Sequence, residues 1–293
     1  METSAKYSID KNEKIKTTLD KIYNLPALPD IITEALRLLN NKKTSNQQLV
    51  EIISKEQSFV AKILSIANSP IYGLSKEVST LDFAIMLLGH NELRHIIFVV
   101  SFLESFRGGD SKYFDQNLYW LHSLLTAKLA KRIAQDVGYG KSGEAFIAGF
   151  LHDFGVSISH RYFKNTFIEI REYIEKEKCS FVEAERIHLG ITHSEIGGYL
   201  MERWNLPVAL RKASLYHHNP IADLEDPFLP SIIHVADYVA GKIHSESLFW
   251  EDGFVLDKKV FEVLRVSEEK QEDFISKYEN VIGEEQDLKG LII

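Results

Sequence analysis

The sequence has little of what marks a secreted, membrane-spanning or disulfide-bonded protein. Its 293 residues include a single cysteine, Cys179, which excludes an internal disulfide and favours a reducing compartment. We interpret it as a structural or surface thiol rather than a catalytic one. Met1–Lys16 is polar and charged, without the apolar stretch of a signal peptide. No uninterrupted apolar run approaches the roughly 20 residues that cross a bilayer. The sequence therefore predicts a cytoplasmic protein with no membrane partner.

An excess of basic residues is also missing. Lys and Arg together number 34 against 42 Asp and Glu, which gives a formal net charge of −8. A protein that binds duplex DNA by neutralising phosphates usually carries a basic face, so we expect no nucleic-acid partner. Apolar residues make up 45% and charged residues 26%. These are the proportions of an ordinary globular protein, long enough for one large domain or two small ones.

Alternating apolar and polar residues are scarce, and the sequence has no low-complexity tract and no convincing repeat. In their place it has short apolar stretches with a period near 3.6, each next to a helix-capping pattern. These patterns predict an all-α protein, with Gly89 as one helix end. The candidate helix starts include Ser58, Asn91 and four candidate capping boxes: Ser45-x-x-Gln48, Ser79-x-x-Asp82, Ser180-x-x-Glu183 and Thr192-x-x-Glu195.

The break at Gly108-Gly109-Asp110 is the clearest interruption in the first half of the chain. We predict a flexible N-terminal segment over residues 1–17 and an N-terminal helical subdomain over 18–108. A second helical subdomain, which carries the candidate metal ligands, is predicted over 109–245, and a charged helical C-terminal extension over 246–293. The acidic stretch Glu268–Asp287 is typical of a solvated helix face.

Histidine and aspartate recur at helix ends and on apolar helix faces of the second half. The stretch Gly149–Gly155 ends an apolar helix in an adjacent imidazole and carboxylate, followed by a glycine. Neutral imidazole and carboxylate suit first-row divalent metal ions, and a shared carboxylate can bridge two of them. Helix bundles build such sites from ligands that project inward from facing helices. The candidate metal ligands are His122, His152, Asp153, His193, His217, His218 and Asp237.

Each of these residues also has an ordinary structural interpretation. His122, on an apolar helix face, is more often a satisfied core histidine, whereas His152 and Asp153 suit a helix end and a turn. Asp237 is the hardest to explain in this way, because a buried carboxylate without a charge partner or a metal is strongly destabilising. His234, three residues earlier, is a candidate partner for it. A purely structural scaffold is therefore an open alternative.

The order of these ligands resembles the series of the HD superfamily of metal-dependent phosphohydrolases, above all its HD-GYP branch, which acts on cyclic di-GMP. The wider chain, over roughly residues 18 to 240, more strongly resembles the HDOD (HD-related output domain) family. The resemblance implies a multi-helix bundle of HD-superfamily type with an N-terminal helical subdomain. It also implies one or two divalent transition-metal ions (Fe, Mn, Zn or Ni) on the seven ligands. The motifs that carry it are Leu25-Pro-Ala-Leu-Pro29, Ile66-Ala-Asn-Ser-Pro-Ile-Tyr-Gly73, Ala84-Ile-Met-Leu-Leu-Gly89, Trp120-Leu-His-Ser123, Gly149-Phe-Leu-His-Asp-Phe-Gly155 and Arg203-Trp-Asn-Leu-Pro207.

Two departures from the HD-GYP pattern bear on activity. Val156 stands where that branch has a lysine, and Asn219-Pro220-Ile221 stands where it has Gly-Tyr-Pro. Because HDOD proteins are mostly regarded as signalling modules, the resemblance implies a regulator that acts through a signalling protein partner or a small nucleotide ligand rather than by catalysis. The alternative is an active phosphohydrolase on nucleotides or cyclic dinucleotides, with Asp153 as the bridging carboxylate.

Overall fold

The computed structural model describes residues 17, 19–20, 44–68, 72, 74, 76–106, 111–243, 248, 250 and 253–283. The regular structure in these ranges is helical, with one isolated β-bridge between Ser111 and Phe114. The predicted all-α class is confirmed. The predicted flexible segment 1–17, apart from Thr17, lies outside the described residues, as does the motif Leu25–Pro29.

The helices are numbered here in chain order, and two short 3-10 helices, Pro220–Ala222 and Glu268–Lys270, accompany them. The α-helices are α1 (Asn46–Ile53), α2 (Gln57–Ala67), α3 (Leu81–Ser105), α4 (Gln116–Asp136), α5 (Ser142–Leu151), α6 (Phe154–Tyr162), α7 (Lys164–Glu177), α8 (Phe181–His188), α9 (His193–Arg203), α10 (Val208–Tyr216), α11 (Phe228–Ile243), α12 (Val260–Val263) and α13 (Gln271–Gly283).

Two of the predicted capping boxes are confirmed. Ser45 precedes α1, where its hydroxyl accepts from the amide of Gln48 while the Gln48 side chain accepts from the Ser45 amide. Thr192 and Glu195 make the same reciprocal pair of bonds at the start of α9. Because each box satisfies two amides that have no partner within the helix, it fixes where the helix begins.

Three predicted helix caps are wrong. The hydroxyl of Ser58 donates to the carboxylate of Glu56, and α2 already begins at Gln57. Thr80 rather than Ser79 caps α3, because its hydroxyl accepts from the amide of Phe83. Asn91 is not a cap, because the second helical part of α3 begins directly after the non-helical Gly89 and Asn91 lies inside its first turn, although a helix does begin here as predicted.

Helix α3 is interrupted at Gly89, whose φ of 76° and ψ of 171° are not helical. The predicted helix end therefore appears as a break inside one longer element. Helix α3 is long and apolar enough to span a membrane, because an 18-residue stretch of it has a mean hydropathy of 1.4. Of that stretch, however, 44% is buried within the protein. A buried core helix has the same length and composition, and the break at Gly89 fits that assignment.

The chain divides into two compact units. In the unit formed by Leu25–Gly109 and Gly283–Ile293, α1 and α2 pack on α3. In the unit formed by Met1–Asn24 and Asp110–Ile282, α4 packs on α5 and α11, and α9 packs on α6 and α10. All seven candidate metal ligands belong to this second unit, which we call the ligand unit.

Two glycines allow the helices of the ligand unit to approach closely on either side of His152-Asp153. A Cβ atom on Gly149 would lie 2.8 Å from the Cα of Ala127, so α5 rests directly on the backbone of α4. A Cβ atom on Gly155 would overlap the backbone carbonyl of His193, so α6 rests on the start of α9. These contacts bring the central His-Asp pair within reach of ligands from both helices.

Candidate metal centre

The structure brings all seven sequence-predicted ligands together. Six of them are at most 1% exposed, and His218 alone is partly exposed. The groups could hold metal ions, because their donor atoms lie within 4.8 Å of one another in sets of three and four. They reach the cluster from five places: His122 from the middle of α4, His152 and Asp153 from the junction of α5 and α6, His193 from the first position of α9, His217 and His218 from the end of α10, and Asp237 from the middle of α11.

One set of ligands surrounds Asp237 and one oxygen of Asp153. The Oδ1 atom of Asp237 lies 3.0 Å from Nε2 of His122 and 3.1 Å from Nε2 of His152. The Oδ2 atom of Asp153 lies 3.4 Å from Nε2 of His152 and 3.8 Å from Nε2 of His122. Two imidazoles and two carboxylates thus converge on one volume, which we call the first position.

A second set surrounds the other oxygen of Asp153. Its Oδ1 atom lies 3.4 Å from Nε2 of His193 and 3.4 Å from Nε2 of His217. The Nε2 atom of His193 is in turn 3.4 Å from Nε2 of His217 and 2.9 Å from Nε2 of His218. Three imidazoles and one carboxylate oxygen define this second position.

The carboxylate of Asp153 lies between the two positions, within 3.8 Å of four imidazole nitrogens. It is 1% exposed, and neither of its oxygens accepts a hydrogen bond from the described residues. A buried carboxylate in this state is costly unless a cation balances it. Since each oxygen faces its own set of imidazole nitrogens, the arrangement fits a carboxylate that bridges two first-row metal ions.

Hydrogen bonds at the outer edge of the rings aim the inner nitrogens at the cluster. Nδ1 of His152 lies 2.7 Å from the carbonyl oxygen of Gly149, and Nδ1 of His217 lies 2.7 Å from that of Ser214. A carbonyl can only accept, so both Nδ1 atoms donate and the Nε2 lone pairs point inward in the neutral rings. Outer bonds of this kind orient metal-binding histidines in proteins.

The electrostatics of the cluster keeps both carboxylates ionised. Burial opposes their charge, yet the neighbouring His152 holds the pKa of Asp153 well below its usual range and also lowers the pKa of Asp237. Burial lowers the pKa of His217, and it lowers the pKa of His218 well below the ordinary value with the help of the neighbouring rings. The pKa of His152 is instead raised well above its ordinary value, because Asp153 and Asp237 outweigh the effect of burial, and Glu185 in the same way raises the pKa of His193. A metal ion that binds these two rings must therefore displace their protons, whereas His217 and His218 are already neutral ligands.

The sequence was also compared with models of known protein families. The family model of the HDOD domain matches residues 25–220. The chain belongs to the HDOD domain family. The resemblance in the sequence is thereby confirmed, over a range narrower at both ends than 18 to 240.

Solved structures share the fold of this HDOD chain. An HDOD domain protein of unknown function from Geobacter sulfurreducens aligns with a TM-score of 0.69 and 23% identity, covering 92% of this chain and 93% of that one. A Shewanella amazonensis protein, provisionally described as a metal-dependent phosphohydrolase, aligns with a TM-score of 0.60 and 16% identity, covering 97% and 99% of the two chains.

Curated relatives are longer proteins. An uncharacterized protein of Treponema pallidum is 24% identical over 218 residues, which are 74% of this HDOD chain and 42% of that protein. The HDOD chain spans less than half the length of the curated relatives it matches.

Glu185 is a site residue that the sequence reasoning missed. It is buried in α8, and its Oε2 atom accepts from both Nδ1 (2.8 Å) and the backbone amide (2.9 Å) of His193. Burial raises the pKa of Glu185, whereas His193 opposes that rise. The available signal was an acidic residue on the buried face of an amphipathic helix, next to Phe181 and Ala184.

The substitution Glu185→Gln is expected to weaken metal binding at the second position about 10–100-fold, the usual cost of removing an outer partner of a metal-binding histidine. The amide keeps the volume but removes the charge that favours Nδ1 as the donor of His193. Titration calorimetry of the metal-free protein with Mn²⁺ would measure the change. Glu183→Gln, on the same helix but exposed, is the matched control, and equal affinities in the two variants would contradict the role of Glu185.

The suggestion that His234 pairs with Asp237 is wrong. Nδ1 of His234 donates to the carbonyl oxygen of His217 (2.6 Å), and its Nε2 accepts from the amide of Asp257 (2.9 Å). Both ring nitrogens are therefore occupied away from Asp237. The carboxylate of Asp237 is left to His122 and His152, with its Oδ2 atom accepting no hydrogen bond from the described residues.

Proposed function

We propose that this HDOD protein is a cytoplasmic signalling module that binds two divalent transition-metal ions and acts through a protein or small-ligand partner. The observation that carries the proposal is the buried carboxylate of Asp153, which accepts no hydrogen bond from any residue that the structure describes and offers one oxygen to each of two imidazole sets. Removing such a carboxylate from water is favourable only when cations lie beside it.

The seven side chains divide between the two ions. The first ion would be held by the set around Asp237 and the second by the imidazole-rich set, with Asp153 shared. Imidazole and carboxylate together suit Fe, Mn, Zn or Ni rather than Ca or Mg, which prefer oxygen ligands. The first set is His122, His152 and Asp237, and the second set is His193, His217 and His218.

The charges around the cluster favour regulation over phosphate chemistry. Among the described residues, the ion-pair partners of Asp153 and Asp237 are histidines. Val156, at the position of the HD-GYP lysine, is buried in α6. Phosphoryl transfer usually depends on cationic side chains that neutralise the developing charge, and within the described part of the chain neither carboxylate forms an ion pair with a Lys or an Arg.

A metal-dependent phosphohydrolase is the second candidate, and the two-sided placement of Asp153 favours it. Paired metal ions polarise a phosphoryl oxygen and activate water for attack. The test is turnover of bis(p-nitrophenyl) phosphate and of cyclic dinucleotides by protein loaded with Mn²⁺ or Fe²⁺. Metal-dependent turnover that Asp153→Asn abolishes would replace the signalling proposal with this one.

Protein reloaded with Mn²⁺ or Fe²⁺ without oxygen is expected to contain about two ions per chain, since two ligand sets share one carboxylate. Binding to the folded state alone adds about 2.7 kcal/mol of stability at a metal concentration of 100 times Kd, so Tm rises with metal. Elemental analysis and thermal unfolding measure the two effects. A protein that takes up no ion and unfolds at the same Tm with and without metal would contradict the proposal.

A further inference from the structure

The metal centre has one side that faces a cavity among the described residues. Six of the seven ligands are buried, and His218 is the exception. His218 lines a groove of about 270 Å³ at the edge of the cluster. Its Nε2 atom is also 2.9 Å from Nε2 of His193, so the groove adjoins the second position directly. A molecule that reaches the second ion from this side must occupy the groove.

The described lining of the groove is mainly apolar, with Ser180 and His218 as its polar members. Its described walls are mainly Phe181, Val182, Trp250, Phe254 and Val255, and they include no Asp, Glu, Lys or Arg. A polyanion such as a dinucleotide would lose its hydration there without gaining a cationic partner. The volume is also just below the range of roughly 300–1,000 Å³ for pockets that hold drug-sized ligands. Size and charge together favour a compact ligand with an apolar body.

Aromatic rings stand on both sides of the second position. Phe181 stacks on His193 with ring centres 5.5 Å apart and planes inclined by 26°. Phe254 meets His218 edge to face, with centres 5.0 Å apart and an angle of 79°. Phe181 is buried, so the partly exposed Phe254 is the one of these two rings that a ligand can contact. An aromatic side chain at this place favours a planar ligand ring, because offset and edge-to-face ring pairs add attraction beyond burial alone.

One wall of the groove is residues 253–257, which we call the strap. Gly253 has a φ of 78°, and a Cβ atom there would lie 2.9 Å from the Cα of Ser180, so the strap lies directly on the start of α8. The amide of Asp257 donates to His234, which donates in turn to the carbonyl of His217. The strap is thus tied to the ligand-bearing end of α10, and it lies beyond residue 220, where the family match ends.

We propose that the groove between α8 and the strap binds a compact planar aromatic or heteroaromatic ring whose single small anionic head reaches the metal ion at the second position. The inference rests on the proposed metal site and adds the class of ligand that the site takes. The anionic head binds the metal-binding cluster, and the ring packs on the partly exposed Phe254, while the buried Phe181 stacks on His193 from behind. The strap therefore selects for shape and against multiple charges.

The test compares benzohydroxamate with acetohydroxamate, which share one metal-binding head and differ in the ring. Calorimetry on the Mn²⁺-loaded full chain is expected to show benzohydroxamate binding at least about tenfold more tightly, because its ring is buried against Phe254. Cyclic di-GMP, the bulky polyanionic comparator, is expected to bind more weakly than benzohydroxamate.

Two strap variants and one control locate the preference. Phe254→Ala and the milder Phe254→Leu are expected to reduce the ratio of the two affinities to about threefold or less, because they remove the ring contact. Acetohydroxamate should bind as before. Phe228→Ala is the matched control, because Phe228 is also partly exposed but stacks on Tyr139 outside the groove lining, and it should keep the full ratio.

The metal content of each sample is measured first, so that the two proposals can fail separately. Protein that holds its ions but binds the two hydroxamates equally would overturn the groove inference and leave the metal site standing. The groove inference is also overturned if cyclic di-GMP binds more tightly than benzohydroxamate, or if Phe228→Ala lowers the ratio as much as Phe254→Ala. Protein that takes up no metal would overturn both proposals.

Discussion

Replacement of Asp153 by asparagine is expected to abolish metal binding at both positions. The loss of metal affinity should exceed the roughly 10–100-fold loss that follows removal of a residue that only hydrogen-bonds to a metal ligand. Asp153 is the residue whose two oxygens face both ligand sets. The amide has nearly the same volume, but it supplies no negative charge and only one acceptor oxygen. Elemental analysis after reloading should therefore show both ions lost together. The metal-dependent rise in Tm should disappear with them.

Asp223→Asn is the matched control for that change. Asp223 is a buried aspartate of the same unit, 3% exposed, and it pairs with Lys212 at 3.0 Å rather than with the cluster. Its loss should lower stability by removing a partner of a part-buried lysine, while the metal content stays at that of the unchanged protein. If Asp153→Asn keeps both ions, the bridging role of Asp153 is wrong. If Asp223→Asn loses them as well, the loss in Asp153→Asn reflects unfolding instead.

The features predicted correctly from the sequence are those that short stretches determine. Ser45 and Thr192 start helices because each bonds an amide three residues later, and Gly89 interrupts α3 because glycine readily adopts a positive φ. Ser58 and Asn91 failed as helix caps because many serines and asparagines have the right chemistry. Only the bonds available in the fold decide which of them is used.

The seven candidate ligands could be predicted together, because their order along the sequence resembled the ligand series of a known superfamily. The residues that surround and orient these ligands could not be predicted. Glu185 lies eight residues before His193, and Phe254 lies 36 residues after His218, spacings that follow from how helices pack rather than from helical periodicity. The bond from His234 to the strap instead of to Asp237 also depends on chain segments that meet only in the fold. The ligand roles of the seven residues stay a prediction until metal content is measured.

Gly155→Ala is expected to destabilise the ligand unit and to displace the second ligand set. Gly155 lies in α6, where helix propensity alone would favour alanine by about 1 kcal/mol. The added Cβ atom, however, would overlap the backbone carbonyl of His193. A backbone atom cannot rotate away as a side chain can, so α6 and α9 must separate. We therefore expect packing to outweigh propensity, with a net loss of about 3 kcal/mol or more in the free energy of unfolding.

Separation of α6 and α9 would move His193 away from Asp153, because His193 is the first residue of α9. The ion at the second position should then be lost while the first, held by His122, His152 and Asp237, is retained, so the metal content falls from about two ions to about one. Denaturant unfolding and elemental analysis measure the two effects. Gly140→Ala is the control, since its Cβ atom would meet no atom within 4 Å, and such a change stays within about 1 kcal/mol. Equal free energies of unfolding for the two variants would show that α6 and α9 can separate without loss of stability. Loss of both ions from Gly155→Ala would show that the two positions do not bind metal independently.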